Sequence, residues 1–142
     1  MTTARSRRSM SPYHRIDVLQ DGRVIRVVRS ERAYDSAFDL AQERMRLGAA
    51  LDKLGRTGRG LLIDSRVAPH STDDKMQDEF RRFRLEVARG FERVAALVRS
   101  KVGILQVNRL VGDSIASVQA FDDETQAIAY LLGQRAPSSR PR

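Results

Sequence analysis

Two short, continuously apolar segments constrain the fold of this 142-residue chain more than any other feature. The segments GLLID at 60–64 and RVAALV at 93–98 are typical of strands that are covered on both faces, as in a parallel sheet. An amphipathic stretch lies between them, with apolar residues at helical spacing: Met76, Phe80, Phe83 and Val87. A strand, a helix and a second strand in this order predict an α/β protein with right-handed crossovers.

The segment before these elements predicts a β-hairpin. Ile16 and Val18 alternate with polar residues, and residues 24–28 are rich in β-branched side chains. Asp21-Gly22 stands between the two stretches and is a common hairpin turn. The hairpin is therefore expected to form an edge of the sheet.

A long helix is predicted between the hairpin and GLLID. Asp35 or Ser36 can cap its first turn, and Gly55 suits the left-handed conformation that ends many helices. Gly48 inside it predicts close packing of the helix on the sheet, because glycine otherwise destabilises a helix by about 1 kcal/mol. The apolar positions predicted to face the core are Phe38, Ala41, Met45, Leu51 and Leu54.

The C-terminal part predicts a helix, a strand and a last helix. Ser100 can cap a helix through residues 101–113, and IASVQAF at 115–121 predicts a strand. Asp122 or Asp123 can cap the last helix. The full order is β-β-α-β-α-β-α-β-α. We predict a single α/β domain with a mixed, mainly parallel sheet of about five strands, an N-terminal hairpin and about four helices.

The net charge of +8 is concentrated at the two ends of the chain. Residues 1–15 hold four arginines and no acid, and residues 135–142 hold three arginines and no acid. These segments lack the apolar surface needed to fold alone, so we predict disordered basic tails at 1–13 and 135–142, around a domain at 14–134. The tails either contact nucleic acid or anionic lipid, or only keep the protein in solution.

The composition also argues against several classes of site. The chain has no cysteine and two histidines, so disulfides and zinc centres built on these residues are not expected. No apolar run approaches the roughly 20 residues of a membrane span, and no apolar stretch follows the N-terminal arginines as it does in a secretory signal. We expect a cytoplasmic protein without cofactor, metal or catalytic residue, since phosphate-binding glycine loops and nucleophile elbows are missing.

Three segments and the element order resemble the SpoIIAA-like, or STAS, superfamily. GLLIDSRVAP at 60–69 resembles its first parallel strand and exit loop. FERVAALVRSKVGILQVNRLV at 91–111 and ASVQAFDDETQAIAYLL at 116–132 resemble the branch known as STAS-like or CRAL-TRIO-like, the latter a lipid-transfer fold. The resemblance spans residues 14–133 and implies a SpoIIAA-like fold.

The resemblance also implies a regulatory site. Members of the anti-sigma-factor-antagonist type are non-enzymatic; they bind a partner kinase and are switched by phosphorylation of a serine after the central strand. By this resemblance Asp64 is the strand-terminal aspartate, and Ser65, Ser71 or Thr72 is the phospho-acceptor or contacts the partner. The family string Asp-Ser-Ser-Gly is absent here, with an aspartate in place of its glycine. A plain helix N-cap is the alternative for Ser71 and Thr72.

Two further interpretations concern charged residues. In a response-regulator receiver Asp64 would accept phosphate, but a receiver also needs an acidic pair after its first strand to hold Mg²⁺, and QDGR stands there instead. Asp64 is therefore expected to end its strand by accepting hydrogen bonds from nearby backbone N–H groups. Arg99, Lys101 and Arg109 form a candidate anion patch, with Lys101 at a predicted helix N-terminus; a solvated surface is the alternative.

Three hypotheses of function follow. The first is a non-enzymatic regulatory domain that acts by protein–protein contact in cytoplasmic signalling, through residues 65–73 and the next helix. The second is a binder of a lipid or other small apolar ligand, in a gap near Phe80, Phe83, Leu105 and Leu110; an ordinary packed core is the alternative there. The third is association with nucleic acid through the basic tails. The sequence identifies neither the partner nor the oligomeric state.

Overall fold

An antiparallel hairpin forms one side of the sheet, where the sequence predicted it. The computed structural model describes residues 7–9, 11–69, 74–100 and 118–133. Strands β1 (Arg7–Ser9), β2 (His14–Leu19) and β3 (Val24–Arg29) pair antiparallel in that order. The turn between β2 and β3 is confirmed at Asp21-Gly22, and Gly22 has a φ of 90°, which favours glycine.

The other strands run parallel to β3. They are β4 (Gly60–Asp64), β5 (Arg93–Leu97) and β6 (Val118–Phe121), and the strand order in the sheet follows the chain from β1 to β6. The described helices are α1 (Ala37–Leu54), α2 (Asp74–Ala88) and a third, here α3 (Glu124–Leu131). The predicted α/β class with a mixed, mainly parallel sheet is confirmed, and the described residues form six strands where about five were predicted.

Strand β1 lies inside residues 1–13, the segment for which a disordered tail is predicted from its composition. It pairs with β2, with Arg8 opposite Ile16. An edge strand of this kind is held by backbone hydrogen bonds, so an Arg/Ser segment without apolar alternation can still form one. The pattern of side chains alone therefore gave no indication of it.

Both faces of the central strands are buried, as their continuous apolar sequences predicted. The first face of the sheet packs against α1 and α2, through a cluster that includes Ile16, Ile25, Val27, Leu47, Leu51, Leu61, Val87 and Val94. The second face packs against α3, through Val24, Leu62, Ala95, Leu97, Ala127 and Leu131. Neighbours such as Leu61 and Leu62 point to opposite faces because side chains alternate along a strand.

The predicted inward face of α1 was wrong in its first half. Phe38 and Met45 are 69% and 65% exposed, whereas Leu40, Glu43 and Leu47 are buried. The buried positions have the helical spacing of three and four. One of the buried positions is a glutamate, which an apolar pattern does not include. The prediction therefore assigned the inward face to the neighbouring apolar residues Phe38 and Met45.

The helix ends follow the prediction, but the packing of Gly48 does not. Ser36 caps α1 by accepting from the backbone of Asp39, and Gly55 follows the helix with a φ of 97°. A Cβ at Gly48 would lie 2.6 Å from Glu86 Oε2 of α2. Close packing therefore exists at Gly48, but against α2 rather than against the sheet.

Three helices fall within the described residues. The additional helix predicted after Ser100 lies in residues 101–117, outside the described ranges. Asp123 caps α3 by accepting from the backbone of Gln126, as one of the two predicted alternatives. Among the helices described, none is both long and apolar enough to cross a membrane.

Candidate functional site

A cavity of about 310 Å³ lies between the first face of the sheet and α2, and is here called the α2 cavity. Strands β3 to β6 of the sheet supply the floor of the cavity, through Val27, Ile63, Val94, Ala96 and Val118. Helix α2 supplies the wall, through Met76, Phe80, Phe83, Arg84, Val87 and Ala88. The remaining described lining residues are His14, Arg29, Ala33, Tyr34, Ser65, Ala68 and Pro69.

The α2 cavity has the volume and the mainly apolar lining that are typical of small-molecule pockets. Protein interiors are close-packed, with few voids larger than a water molecule. Binding pockets for small molecules begin at about 300 Å³ and are mostly apolar with a few polar groups. Ala88 and Ala96 contribute to the open space, because each presents only a methyl group where a larger apolar side chain would fill it.

The polar part of the α2 cavity lining, here called its polar end, includes His14 of β2, which pairs with the buried Glu43 of α1. His14 Nδ1 lies 2.7 Å from Glu43 Oε2, and the two side chains are 4% and 1% exposed. Ser11 also donates its hydroxyl to Glu43 Oε2, at 2.7 Å. The pair therefore ties the start of the hairpin to the middle of α1.

Burial and hydrogen bonding set the charges of this pair. Burial, which disfavours the imidazolium, lowers the pKa of His14 in spite of the hydrogen bond to Glu43. Burial opposes ionisation of Glu43 as well, but the hydrogen bonds from His14 and Ser11 outweigh it and lower the pKa of Glu43. At neutral pH the pair is thus a neutral imidazole that donates from Nδ1 to a carboxylate, which leaves Nε2 as an acceptor.

Aromatic rings surround the imidazole. His14 stacks on Phe83 with ring centroids 5.3 Å apart, and Tyr34 Oη lies 3.5 Å from His14 Nε2. Tyr34 also meets Phe80 edge to face at 6.0 Å. Burial raises the pKa of Tyr34, which keeps its hydroxyl protonated. The polar end of the cavity is therefore a rigid cluster in which rings shield a few hydrogen-bonding atoms.

A buried guanidinium lies beside this cluster. Arg29 at the end of β3 is 8% exposed, and its Cζ lies 4.3 Å from the centroid of the Tyr34 ring. Its Nη1 donates to the carbonyl of Ser30 at 2.8 Å. Burial lowers the pKa of Arg29, although a guanidinium stays charged at any physiological pH. No carboxylate of the described residues forms an ion pair with it.

A second arginine lines the same cavity from α2. Arg84 is half-buried, and neither a hydrogen bond nor an ion pair connects it to the described part of the chain. Burial and the neighbouring positive charge of Arg81 lower the pKa of Arg84. The α2 cavity thus has an apolar body, two cationic side chains and a neutral histidine.

No protein-family model and no curated protein matches the chain. It is similar to the crystal structure of an uncharacterised protein of the DUF3478 family, with a SpoIIAA-like fold, from Shewanella loihica PV-4. The match covers 92% of this chain and 98% of that one, with a TM-score of 0.61 and 16% sequence identity. This chain has a SpoIIAA-like fold. The predicted resemblance to the SpoIIAA/STAS-like superfamily is confirmed at the level of the fold.

In this SpoIIAA-like fold Asp64 ends the central strand, as the sequence predicted. Its Oδ1 accepts from the backbone of Arg66 at 3.2 Å, and its Oδ2 pairs with the Arg66 guanidinium at 2.8 Å. Burial opposes ionisation, but these contacts lower the pKa of Asp64. Arg66 also reaches Glu124 of α3, which pairs with Arg26 at 2.6 Å. Asp64 therefore belongs to an ion-pair chain between β4 and α3, away from the α2 cavity.

The other predicted site residues are divided between the cavity, the surface and the undescribed segments. Ser65 lines the α2 cavity, and its backbone N–H donates to the carbonyl of Leu97 at 2.9 Å. Arg99 of the candidate anion patch is exposed after β5. The predictions for Ser71, Thr72, Lys101 and Arg109 fall outside the described residues.

Two of the four residues predicted to border a ligand gap lie at the α2 cavity. Phe80 and Phe83 line the α2 cavity, as predicted for a ligand gap, whereas Leu105 and Leu110 lie outside the described residues. The polar end was missed, because His14, Arg29 and Glu43 come from three elements that are distant in sequence. The sequence offered one signal for this polar end: Glu43 lies three residues after Leu40 and four before Leu47, the buried apolar positions of α1. Within the described ranges, no group of three or more histidine or acidic residues could hold a metal ion.

Proposed function

We propose that this SpoIIAA-like domain is a non-enzymatic binding protein that holds a small, largely apolar molecule in the α2 cavity. The supporting observation is the cavity of about 310 Å³ with an apolar floor and wall. A largely apolar molecule in this space would remove the lining side chains from water, which favours binding. The regulatory role that the superfamily resemblance implies is, on this proposal, a response to the bound molecule.

Binding fits the polar groups of the site better than catalysis does. His14 has an orienting carboxylate, which a general base needs, but its Nε2 faces the Tyr34 hydroxyl rather than open cavity. Tyr34 is held protonated by burial, so it is a poor nucleophile. We therefore assign these side chains to the shape and polarity of the site.

A neutral fluorescent probe tests the proposal. We expect aminoanthracene to bind once per chain with blue-shifted emission, since its environment becomes apolar. Ala96→Leu extends a cavity-lining side chain into the space and is expected to weaken binding about tenfold or more. Ala49→Leu is the matched control, because Ala49 is exposed on α1 and does not line the cavity. Equal binding by both variants, or no binding by the natural chain, would overturn the proposal.

A protein-contact role is the second candidate, and an exposed apolar pair favours it. Phe38 and Met45 are seven residues apart on α1, which places them on one side of the helix, and both are largely exposed. A photo-crosslinking residue at position 45 is expected to capture a discrete protein species in cells, whereas one at the exposed Gln126 of α3 is not. No capture at position 45 would remove this candidate.

The other functional roles predicted from the sequence remain predictions. Val67, in the segment 65–73 proposed for partner contact, is 50% exposed. The cytoplasmic location, the phosphorylation of Ser65, Ser71 or Thr72, and the contact of the basic tails with nucleic acid remain predictions.

A further inference from the structure

We propose that the ligand of the α2 cavity is an amphipathic monocarboxylate, whose carboxylate pairs with Arg29 while its apolar body lies against Phe80 and Phe83. This inference rests on the proposed function, since it names the chemical class of the bound molecule. It adds a requirement for negative charge that an apolar cavity alone does not make.

The argument starts from the charge of Arg29. Arg29 as a whole residue is 8% exposed, lines the α2 cavity and has no ion pair with the described residues. Burying a charged group is unfavourable unless an opposite charge and hydrogen bonds compensate for lost water. The Tyr34 ring and the Ser30 carbonyl satisfy part of the guanidinium, but neither carries a negative charge.

Glu43 is the nearby buried acid; its Oε2 is engaged by other residues, and its Oε1 is buried without a hydrogen-bond partner among the described residues. Oε2 accepts from both His14 and Ser11 at 2.7 Å. Oε1 lies 3.5 Å from Nη1 of Arg46 on the same helix. Glu43 therefore interacts with Arg29 only through space. Nη1 of Arg29 donates to the Ser30 carbonyl and a side-chain hydrogen bond joins Arg29 to Tyr34, so the remaining N–H groups of its five donors are left for a second carboxylate.

The rest of the described lining strengthens the preference for an anion. It contains a second arginine, Arg84, and no aspartate or glutamate. His14 adds no positive charge at neutral pH, because burial lowers its pKa. A single carboxylate matches one buried guanidinium in charge and in planar geometry, whereas the second negative charge of a phosphate dianion would be opposed only by the half-buried Arg84.

The experiment compares three ligands that share one alkyl chain: decanoate, decanol and decyl phosphate. Displacement of aminoanthracene gives the Kd of each at neutral pH. We expect decanoate to bind about tenfold or more tightly than decanol. Arg29→Gln is expected to abolish this preference without weakening decanol. Arg84→Gln is expected to reduce it, and Arg81→Gln, an exposed position paired with Asp78 on the same helix, to leave it unchanged.

Each outcome separates the two proposals. Equal binding of decanoate and decanol would overturn the monocarboxylate inference and keep the apolar binding function. Tighter binding of decyl phosphate than of decanoate would overturn the assignment to a carboxylate. Binding of aminoanthracene but of none of the three would overturn the monocarboxylate inference alone, whereas absence of aminoanthracene binding would overturn both proposals. If Arg29→Gln does not fold, the decanoate-to-decanol ratio of the natural chain and of Arg84→Gln decides the question.

Discussion

His14 and Glu43 form a hydrogen-bonded pair in which Nδ1 lies 2.7 Å from Oε2 and both side chains are almost completely buried. Burial holds the pKa of His14 below its ordinary value of 6.5, so the unfolded chain takes up a proton at a higher pH than the folded chain does. The unfolded state is then favoured by acid. Stability is fully present above pH 6.5 and falls as the pH drops through the lowered pKa of His14.

This relationship predicts acid-sensitive stability. The free energy of unfolding in urea is expected to fall as the pH drops below 6.5, because the folded state resists protonation of His14. Acidification below pH 4.5 is expected to cause a further loss, since the pKa of Glu43 is also lowered from that value. His14→Asn should flatten the first slope, whereas His70→Gln removes the other histidine and should not. A slope that follows His70 would contradict the assignment.

The buried Arg56 is predicted to be a major support of the α1–α2 contact. It is 6% exposed and its Nη1 and Nη2 donate to the carbonyls of Gly48, Glu86, Val87 and Arg89. Arg56→Met would leave these acceptors without partners, so we expect a loss of about 2–4 kcal/mol in the free energy of unfolding.

Arg89→Met is the matched control for Arg56. Both arginines pair with Asp52, but Arg89 is exposed and its contacts are screened by solvent. Chemical denaturation is expected to show almost no change for Arg89→Met. Equal losses for the two variants would show that the carbonyl contacts of Arg56 contribute little.

The corrected face of α1 can be tested by paired truncations. Leu47 is fully buried in the core, so Leu47→Ala is expected to reduce the free energy of unfolding by about 2–5 kcal/mol. Phe38 is 69% exposed, so Phe38→Ala should change it by no more than about 0.5 kcal/mol. The reverse order of effects would restore the face predicted from the sequence.

A close contact between Gly60 and Leu131 predicts that β4 does not tolerate alanine at its first position. A Cβ at Gly60 would lie 2.9 Å from Leu131 Cβ, an atom that cannot move without shifting α3. Gly60→Ala is expected to destabilise the protein by about 1–3 kcal/mol. Gly48→Ala should cost less, because the atom in its way is the flexible end of Glu86 and alanine favours the helix. Thermal denaturation of the two variants distinguishes these cases.

The sequence predicted those parts of the fold that depend on local patterns. Leu61 and Leu62 identified a doubly covered strand, Asp21-Gly22 identified the turn, and Ser36 was one of two predicted caps. The inward face of α1 was mispredicted, since Glu43 is buried by partners that lie 29 and 32 residues away. Contacts with residues so distant in sequence cannot be detected in a periodic pattern of apolar residues.

The candidate site was predictable only in its apolar half. Phe80 and Phe83 stand in a clear helical stripe, so a gap beside them could be proposed. The open volume depends on small residues such as Ala88 and Ala96, which a hydrophobic pattern counts as ordinary core. In the sequence Arg29 is one of several charged residues at the end of a strand, and nothing there marks it as buried. Its burial arises from packing against Tyr34. Volume and buried charge are therefore properties of the tertiary arrangement.

The most direct test of ligand binding in the α2 cavity is an NMR titration of protein labelled with ¹³C at the methionine methyl groups. Met76 lines the cavity and is 7% exposed, whereas Met45 on α1 is 65% exposed, so the two report on different places. With aminoanthracene as ligand, we predict a saturable shift of the Met76 methyl signal and an unchanged Met45 signal. A Met76 signal that stays fixed while the probe binds, or a shift confined to Met45, would contradict the account.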